Sequence, residues 1–375
     1  MHKILSAIAA FSLVLLLGGA APASAQFYTQ HNLVSDIPGL ADLTDPSLVN
    51  AWGLVASTGS PWWVSNNGTS TSTLYNGNTG AKVALTNLAC QCVNVPGNPT
   101  GVVFNGGAGF VVTDPVSKAS GPARFIFATE SGSILGWNPA VPPPVPPPPL
   151  VSSQAVIAVP PSDAVYKGIA IATTTAGGRL YATNFHAGTV DVFDETFTPV
   201  HMPGAFTDPT LPTGYAPFGI RNLDGVIYVT YALQDADAHD DVRGMGHGFI
   251  NAFDTDGILI RRVASRGTLN SPWGLAISPA SFGKFGDNLL VGNFGDGRIH
   301  AYDPADTLGN GEYKRRGMLH SADGRPLEID GLWALSFGND ANAGPKATLF
   351  FTAGPDDESH GLFGSLLPAP PPGRD

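Results

Sequence analysis

An all-β fold, a six-bladed β-propeller closed by an N-terminal strand that completes the last blade, is what this 375-residue sequence predicts. Three observations predict it. A glycine among bulky residues opens a short apolar strand six times, at Gly53, Gly101, Gly168, Gly219, Gly274 and Gly331. Strand pairs that alternate apolar and polar residues and end in aromatic-Asp follow these openings, as in Leu180 to Asp194 and Leu289 to Asp303. Long helical periodicity is absent. Six repeats of roughly 50–60 residues, each worth three or four strands, are the signature of a propeller.

The residues ahead of the repeats read as an address. His2 and Lys3 precede an almost wholly apolar run, Ile4 to Leu17, and Ala23-Ser24-Ala25 stands before Gln26. A basic start, a short apolar run and an A-x-A site mark a secretory signal peptide. Residues 1–25 are therefore expected to be removed and the mature chain exported, to the periplasm or beyond it. No second apolar stretch approaches the roughly 20 residues of a membrane span, so no span is expected in the mature chain.

Residues 26–367 are expected to form a single propeller domain. Phe27 to Val34, a lone extended segment, is assigned to the last blade as its outer strand, which leaves no free sheet edge. Cys90 and Cys92 leave three possibilities open: a disulfide, two free thiols, or two ligands of a metal. As alternate residues of a strand their Cα atoms would stand about 6.6 Å apart, near the limit for a bridge. Residues 141–150 hold seven prolines, which cannot donate to a ladder, and are expected to loop out between the second and third blades. Residues 368–375 are expected to form a disordered Pro-rich tail.

A propeller gathers its openings around one mouth of the central channel, and the turns between second and third strands surround them. The residues before the six glycines are Trp52, Thr100, Lys167, Phe218, Trp273 and Asp330. Trp52, Lys167, Phe218, Trp273 and Asp330 are candidate contacts for a small ligand; the aromatic members serve equally well to fill the channel. The fourth repeat carries an insertion, Gln234 to Gly248, with four Asp and one His inside seven residues of a chain only 13% charged. Asp235, Asp237, His239, Asp240 and Asp241 are the candidate metal ligands, and alternate Asp residues suit Ca²⁺. A solvated acidic turn is the plainer reading. Glu130, His186, Asp296 and Asp356 to His360 occupy turns of the same face and make it anionic.

With 30 acidic against 19 basic residues the net charge is −11, which disfavours nucleic acid as a partner. No nucleophile motif, zinc-protease motif, phosphate loop or dinucleotide fingerprint is present. The expected function is binding or scaffolding, with an unknown small molecule or protein as ligand and Ca²⁺ on the channel-mouth face.

The Asn-x-x-Gly-Leu openings and the aromatic-Asp strand ends resemble the six-bladed propellers of the NHL and SMP-30/gluconolactonase type. Asn50 to Leu54, Gln234 to Gly248, Ser271 to Leu275 and Phe350 to Gly364 resemble, more narrowly, a secreted bacterial propeller family of unknown function met in organisms with an exosortase sorting system. The wider resemblance implies an alternative function, a metal-dependent hydrolase or lyase of the lactonase or streptogramin-lyase type, in which a cation polarises a carbonyl and His186 or His239 moves a proton. Of the lactonase openings, which carry Asn-Gly or Asp-Gly, only Asp330-Gly331 has a match here.

Overall fold

A computed structural model describes residues 27–85, 88–144 and 151–370; the expected signal peptide, the second half of the proline run and the end of the tail lie outside them. Six blade sheets, antiparallel but for the short strand Leu43–Thr44 beside Phe27–Ser35, follow one another along the chain, with a separate hairpin of Val111–Thr113 and Ser120–Pro122. Blade 1 runs from Ala51–Val55 at the channel through Trp62–Asn66 and Thr71–Tyr75 to Val93–Asn94. Blade 2 runs from Pro99–Phe104 through Phe125–Thr129 and Ile134–Trp137 to Val156–Val159. Blade 3 has three strands, Tyr166–Thr174, Gly177–Asn184 and Thr189–Asp194. Blade 4 comprises Tyr215–Leu223, Val226–Leu233, Phe249–Phe253 and Leu259–Ser265, and blade 5 comprises Pro272–Ile277, Leu289–Asn293, Ile299–Thr307 and Tyr313–Met318.

Blade 6 closes the ring as expected. Leu332–Phe337, Leu349–Ala353 and Leu362–Ala369 come from the end of the chain, and Phe27–Ser35 pairs antiparallel with the last of them. The pairing extends to Pro368 and Ala369, opposite Tyr28 and Phe27, so the blade runs two residues past the boundary expected at 367. Tyr28 also reaches blade 5: its amide donates to the His320 carbonyl at 2.9 Å and its hydroxyl to the Phe282 carbonyl at 3.1 Å.

Alternation along each strand builds the core. In Val226–Leu233, Ile227, Val229 and Tyr231 pack toward blade 3, whereas Tyr228 joins the cluster shared with blade 5. Each adjacent pair of blades shares one such buried cluster, and a seventh, aromatic cluster fills the channel. The inner strands approach so closely that a side chain at the opening glycines has no room. A Cβ on Gly219 would lie 2.3 Å from the Trp273 carbonyl oxygen of the next blade, and one on Gly274 would lie 2.5 Å from that of Trp333.

This contact corrects the sixth opening. The residue in register with Trp52-Gly53-Leu54 and Trp273-Gly274-Leu275 is Trp333, followed by Ala334 and Leu335; Asp330 stands three residues earlier. Thr352 shows the equivalence, accepting from the Ala334 amide as Thr230 accepts from that of Gly219. Gly331 is glycine for another reason: its φ is +63° and a Cβ would lie 2.1 Å from the Gly354 oxygen.

Cys90 and Cys92 form a disulfide. The extended geometry assumed from their spacing does not hold, because Gln91 adopts a left-handed conformation, φ 49°, and brings the two Cα atoms to 5.2 Å.

Candidate functional site at the channel mouth

The mouth is floored by aromatic rings. Trp52 stacks on Trp333 at 3.5 Å between centroids, and Trp333 on Phe294 at 3.9 Å; Trp273 meets both tryptophans edge-on. Trp52, Phe218 and Trp333 are at most 2% exposed. The aromatic residues of the openings therefore plug the channel, and the surface open to a ligand is the polar layer above them.

Lys167, from the opening of blade 3, is the centre of that layer and is 1% exposed. Its ammonium donates to Glu130 Oε1 at 2.5 Å and to Asp240 Oδ1 at 3.0 Å, and stands 5.4 Å from the Trp52 ring centroid. A buried ammonium is costly unless it is paired and hydrogen-bonded. Burial pulls the Lys167 pKa down, but Glu130 and Asp240 outweigh it and hold the group above its ordinary value. Asp240 is the reciprocal case: burial pushes its carboxyl up, and Lys167 and His239 bring it below the usual range.

Each partner is itself positioned. Glu130 sits in the tight turn joining Phe125–Thr129 to Ile134–Trp137, and its Oε2 accepts from Asn67 Nδ2 at 2.8 Å. His239 Nδ1 lies 3.0 Å from Asp240 Oδ1, while its amide donates to Asp235 Oδ1 at 2.9 Å. Asn50 joins the layer from blade 1, donating to Glu358 Oε2 at 2.8 Å and accepting from the Trp333 indole at 3.1 Å.

Of the expected metal ligands, His239 and Asp240 come together, and the third member of their group is Glu130: one ligand atom from each lies within 4.8 Å of the others. Asp235 is occupied in holding the loop, Asp237 is exposed, and Asp241 is half-buried, with Oδ2 enclosed and unpartnered and its carboxyl pushed up by burial. Asp330 is exposed and accepts from the Asp356 amide at 2.9 Å. His186 is exposed, whereas His300 is buried beside Arg315, on blade 5. Glu358 belongs to the acidic run Asp356 to His360 and Asn50 to the first opening, whereas Asn67 and Trp333 were not singled out by spacing. Of these two, Trp333 had a legible signal, its Trp-Ala-Leu match to the Trp-Gly-Leu openings.

Burial also pushes the Glu358 carboxyl up, outweighing its bond from Asn50. A carboxyl that holds its proton more tightly folded than unfolded favours folding as pH falls through the folded value and penalises it above. Glu358→Gln keeps an acceptor for Asn50 and carries no charge. It is expected to raise the urea midpoint at pH 7 and to leave it unchanged below about pH 4, where both side chains are neutral. An unchanged or lower midpoint at pH 7 contradicts this account.

Six blades, an aromatic plug and a polar mouth define a six-bladed β-propeller, in keeping with the NHL and SMP-30-like propellers that the openings resemble. The chain belongs to the family of the uncharacterized protein R648 of Acanthamoeba polyphaga mimivirus, with 33% identity over 346 residues, 89% of this chain and 78% of R648. No family model matches the sequence. Among solved structures, a protein of unknown function from Bacteroides thetaiotaomicron is similar in fold, with TM-score 0.53 and 11% identity, over 90% of this chain and 76% of that one. Virginiamycin B lyase from Staphylococcus aureus aligns with TM-score 0.48 and 11% identity, over 91% of this chain and 98% of the lyase. No helix among the described residues is long and apolar enough to cross a membrane.

Proposed function

We propose that the protein is an exported binding module whose recognition surface is the anionic channel mouth, and that the first ligand of this surface is a divalent cation at Glu130, His239 and Asp240. One observation carries the reading: three ligand atoms from two blades converge above a sealed aromatic floor. Export rests on the signal reading of residues 1–25, with the resemblance to secreted propellers beside it, and the Cys90–Cys92 disulfide suits an oxidising compartment. An imidazole with two carboxylates suits Zn²⁺ or Mn²⁺ better than Ca²⁺, which prefers six to eight oxygens. The five-residue Ca²⁺ set expected from the loop is thereby narrowed to two of its members plus Glu130.

The Lys167 ammonium already holds the two carboxylates, so a metal must displace it. Metal affinity is lowered accordingly. A metal-dependent hydrolase or lyase is the second reading. The contact between His239 and Asp240 favours it, since it sets an imidazole beside the cation position.

The test is a melting curve of residues 26–375 in chelator, then with Ca²⁺, Mg²⁺, Mn²⁺ or Zn²⁺. Zn²⁺ or Mn²⁺ is expected to raise Tm more than Ca²⁺, because occupancy stabilises by mass action. Asp240→Asn is expected to lose the rise and Asp237→Ala to keep it. No rise with any metal removes the cation reading and, with it, the metal-dependent enzyme.

A further inference from the structure

The far end of the channel holds a cation that the mouth does not use. Arg221 lies on the inner strand of blade 4, and its side chain crosses the channel to blade 6. There Nη1 donates to the Leu335 carbonyl at 2.5 Å and Nη2 to Ser336 Oγ at 2.8 Å. Among the described residues no carboxylate lies within ion-pair distance of it. Burial pulls its pKa down to about 10, which leaves the group cationic at physiological pH.

Arg221 lines a cavity of about 310 Å³ to which the inner strands of all six blades contribute. Apolar side chains, Leu54, Val102, Ile169 and Leu275 among them, share its walls with polar groups in similar measure, and no acidic residue lines it. Trp273 is shared with the mouth: its ring lines the cavity while its indole N–H donates to the Lys167 carbonyl at 3.0 Å. The one side-chain amide in the lining, Asn222, donates to the Ile171 carbonyl at 2.9 Å.

A guanidinium has five N–H donors in a planar fork matched to carboxylates and phosphates. Two bonds to neutral acceptors anchor this one and leave its charge uncompensated in a low-dielectric channel, where an anion gains most. One positive charge with no second cation suits a singly charged ligand over a phosphate dianion. The apolar side chains in the lining suit a short apolar body.

We propose that the far end of the channel binds a monocarboxylate with an apolar body, its carboxylate on Arg221 and its hydrocarbon along the inner strands. This site opens away from the mouth and does not depend on a metal there.

The probe is hexanoate, with the isosteric neutral hexanamide and inorganic phosphate as comparisons, titrated calorimetrically into the mature chain. Hexanoate is expected to bind with a Kd below about 1 mM, and hexanamide at least about tenfold more weakly. Arg221→Met, which keeps an unbranched side chain and removes the charge, is expected to bring hexanoate down to the hexanamide level. Three results overturn the proposal: equal binding of hexanoate and hexanamide, tighter binding of phosphate, or undiminished hexanoate binding by Arg221→Met. The comparison of the three ligands on the wild-type chain decides the matter even if the variant fails to fold.

Discussion

Lys167→Met is expected to move two measurements in opposite directions. Without metal, the substitution removes the cation that Glu130 and Asp240 share and leaves two carboxylates facing each other above an aromatic floor. Breaking a buried pair by removing one partner costs more than the pair contributes, because the remaining charge stays desolvated. Glu130 retains its bond from Asn67, and Asp240 is largely open to water, so the loss is expected near the lower end of that range, about 3 kcal/mol in urea unfolding. With Zn²⁺ or Mn²⁺ the sign reverses. The metal no longer competes with an ammonium for Glu130 Oε1 and Asp240 Oδ1, and affinity is expected to rise by at least about tenfold. A structural lysine with no metal site beside it would give the first effect without the second.

Deleting Phe27–Ser35 is expected to cost the fold its cooperativity. The strand pairs along the whole length of Leu362–Ala369 and buries Tyr28, Leu33 and Val34 almost completely. At about 2 kcal/mol for each fully buried large apolar side chain, these three alone contribute about 6 kcal/mol, which is comparable to the net stability of a typical domain. The deletion also bares the edge of Leu362–Ala369, a template for pairing with another chain. A broadened urea transition and concentration-dependent association in gel filtration are expected. A deletion variant that melts like the parent and stays monodisperse would show that the ring closes without its clasp. Tyr28→Ala, a milder lesion, is expected to cost about 3 kcal/mol, because the ring also ties blade 6 to Phe282 and Phe285 of blade 5.

The sequence made the blades legible because a propeller strand reports its surroundings locally. Leu180 to Asp194 alternates, turns at Ala187-Gly188 and alternates again, and the structure pairs it as Gly177–Asn184 with Thr189–Asp194. The sixth opening was misread because the pattern was keyed on glycine. Ala334 takes the place that glycine holds elsewhere, and the nearest glycine, Gly331, serves a left-handed turn.

The candidate site was legible only in part, for a different reason. Its members stand far apart in the chain: Glu130 is 37 residues from Lys167, and Asp240 is 73 residues from it. Turn composition marked the Asp-rich insertion, but composition does not say which carboxylates face inward. Asp235 is spent on capping its own loop, Asp237 points to solvent, and Asp241 is half-buried with its Oδ2 unpartnered. Cys90 and Cys92 show the same limit: their bridge depends on the backbone angle of the residue between them.

The measurement that bears most directly on the mouth is a crystal grown with zinc chloride and its anomalous difference map at the zinc edge. A peak bonded to Glu130, His239 and Asp240 at about 2.0–2.2 Å is expected, with the Lys167 ammonium displaced. An occupied lysine and no peak there, or a peak on Asp235 and Asp237 instead, would contradict it.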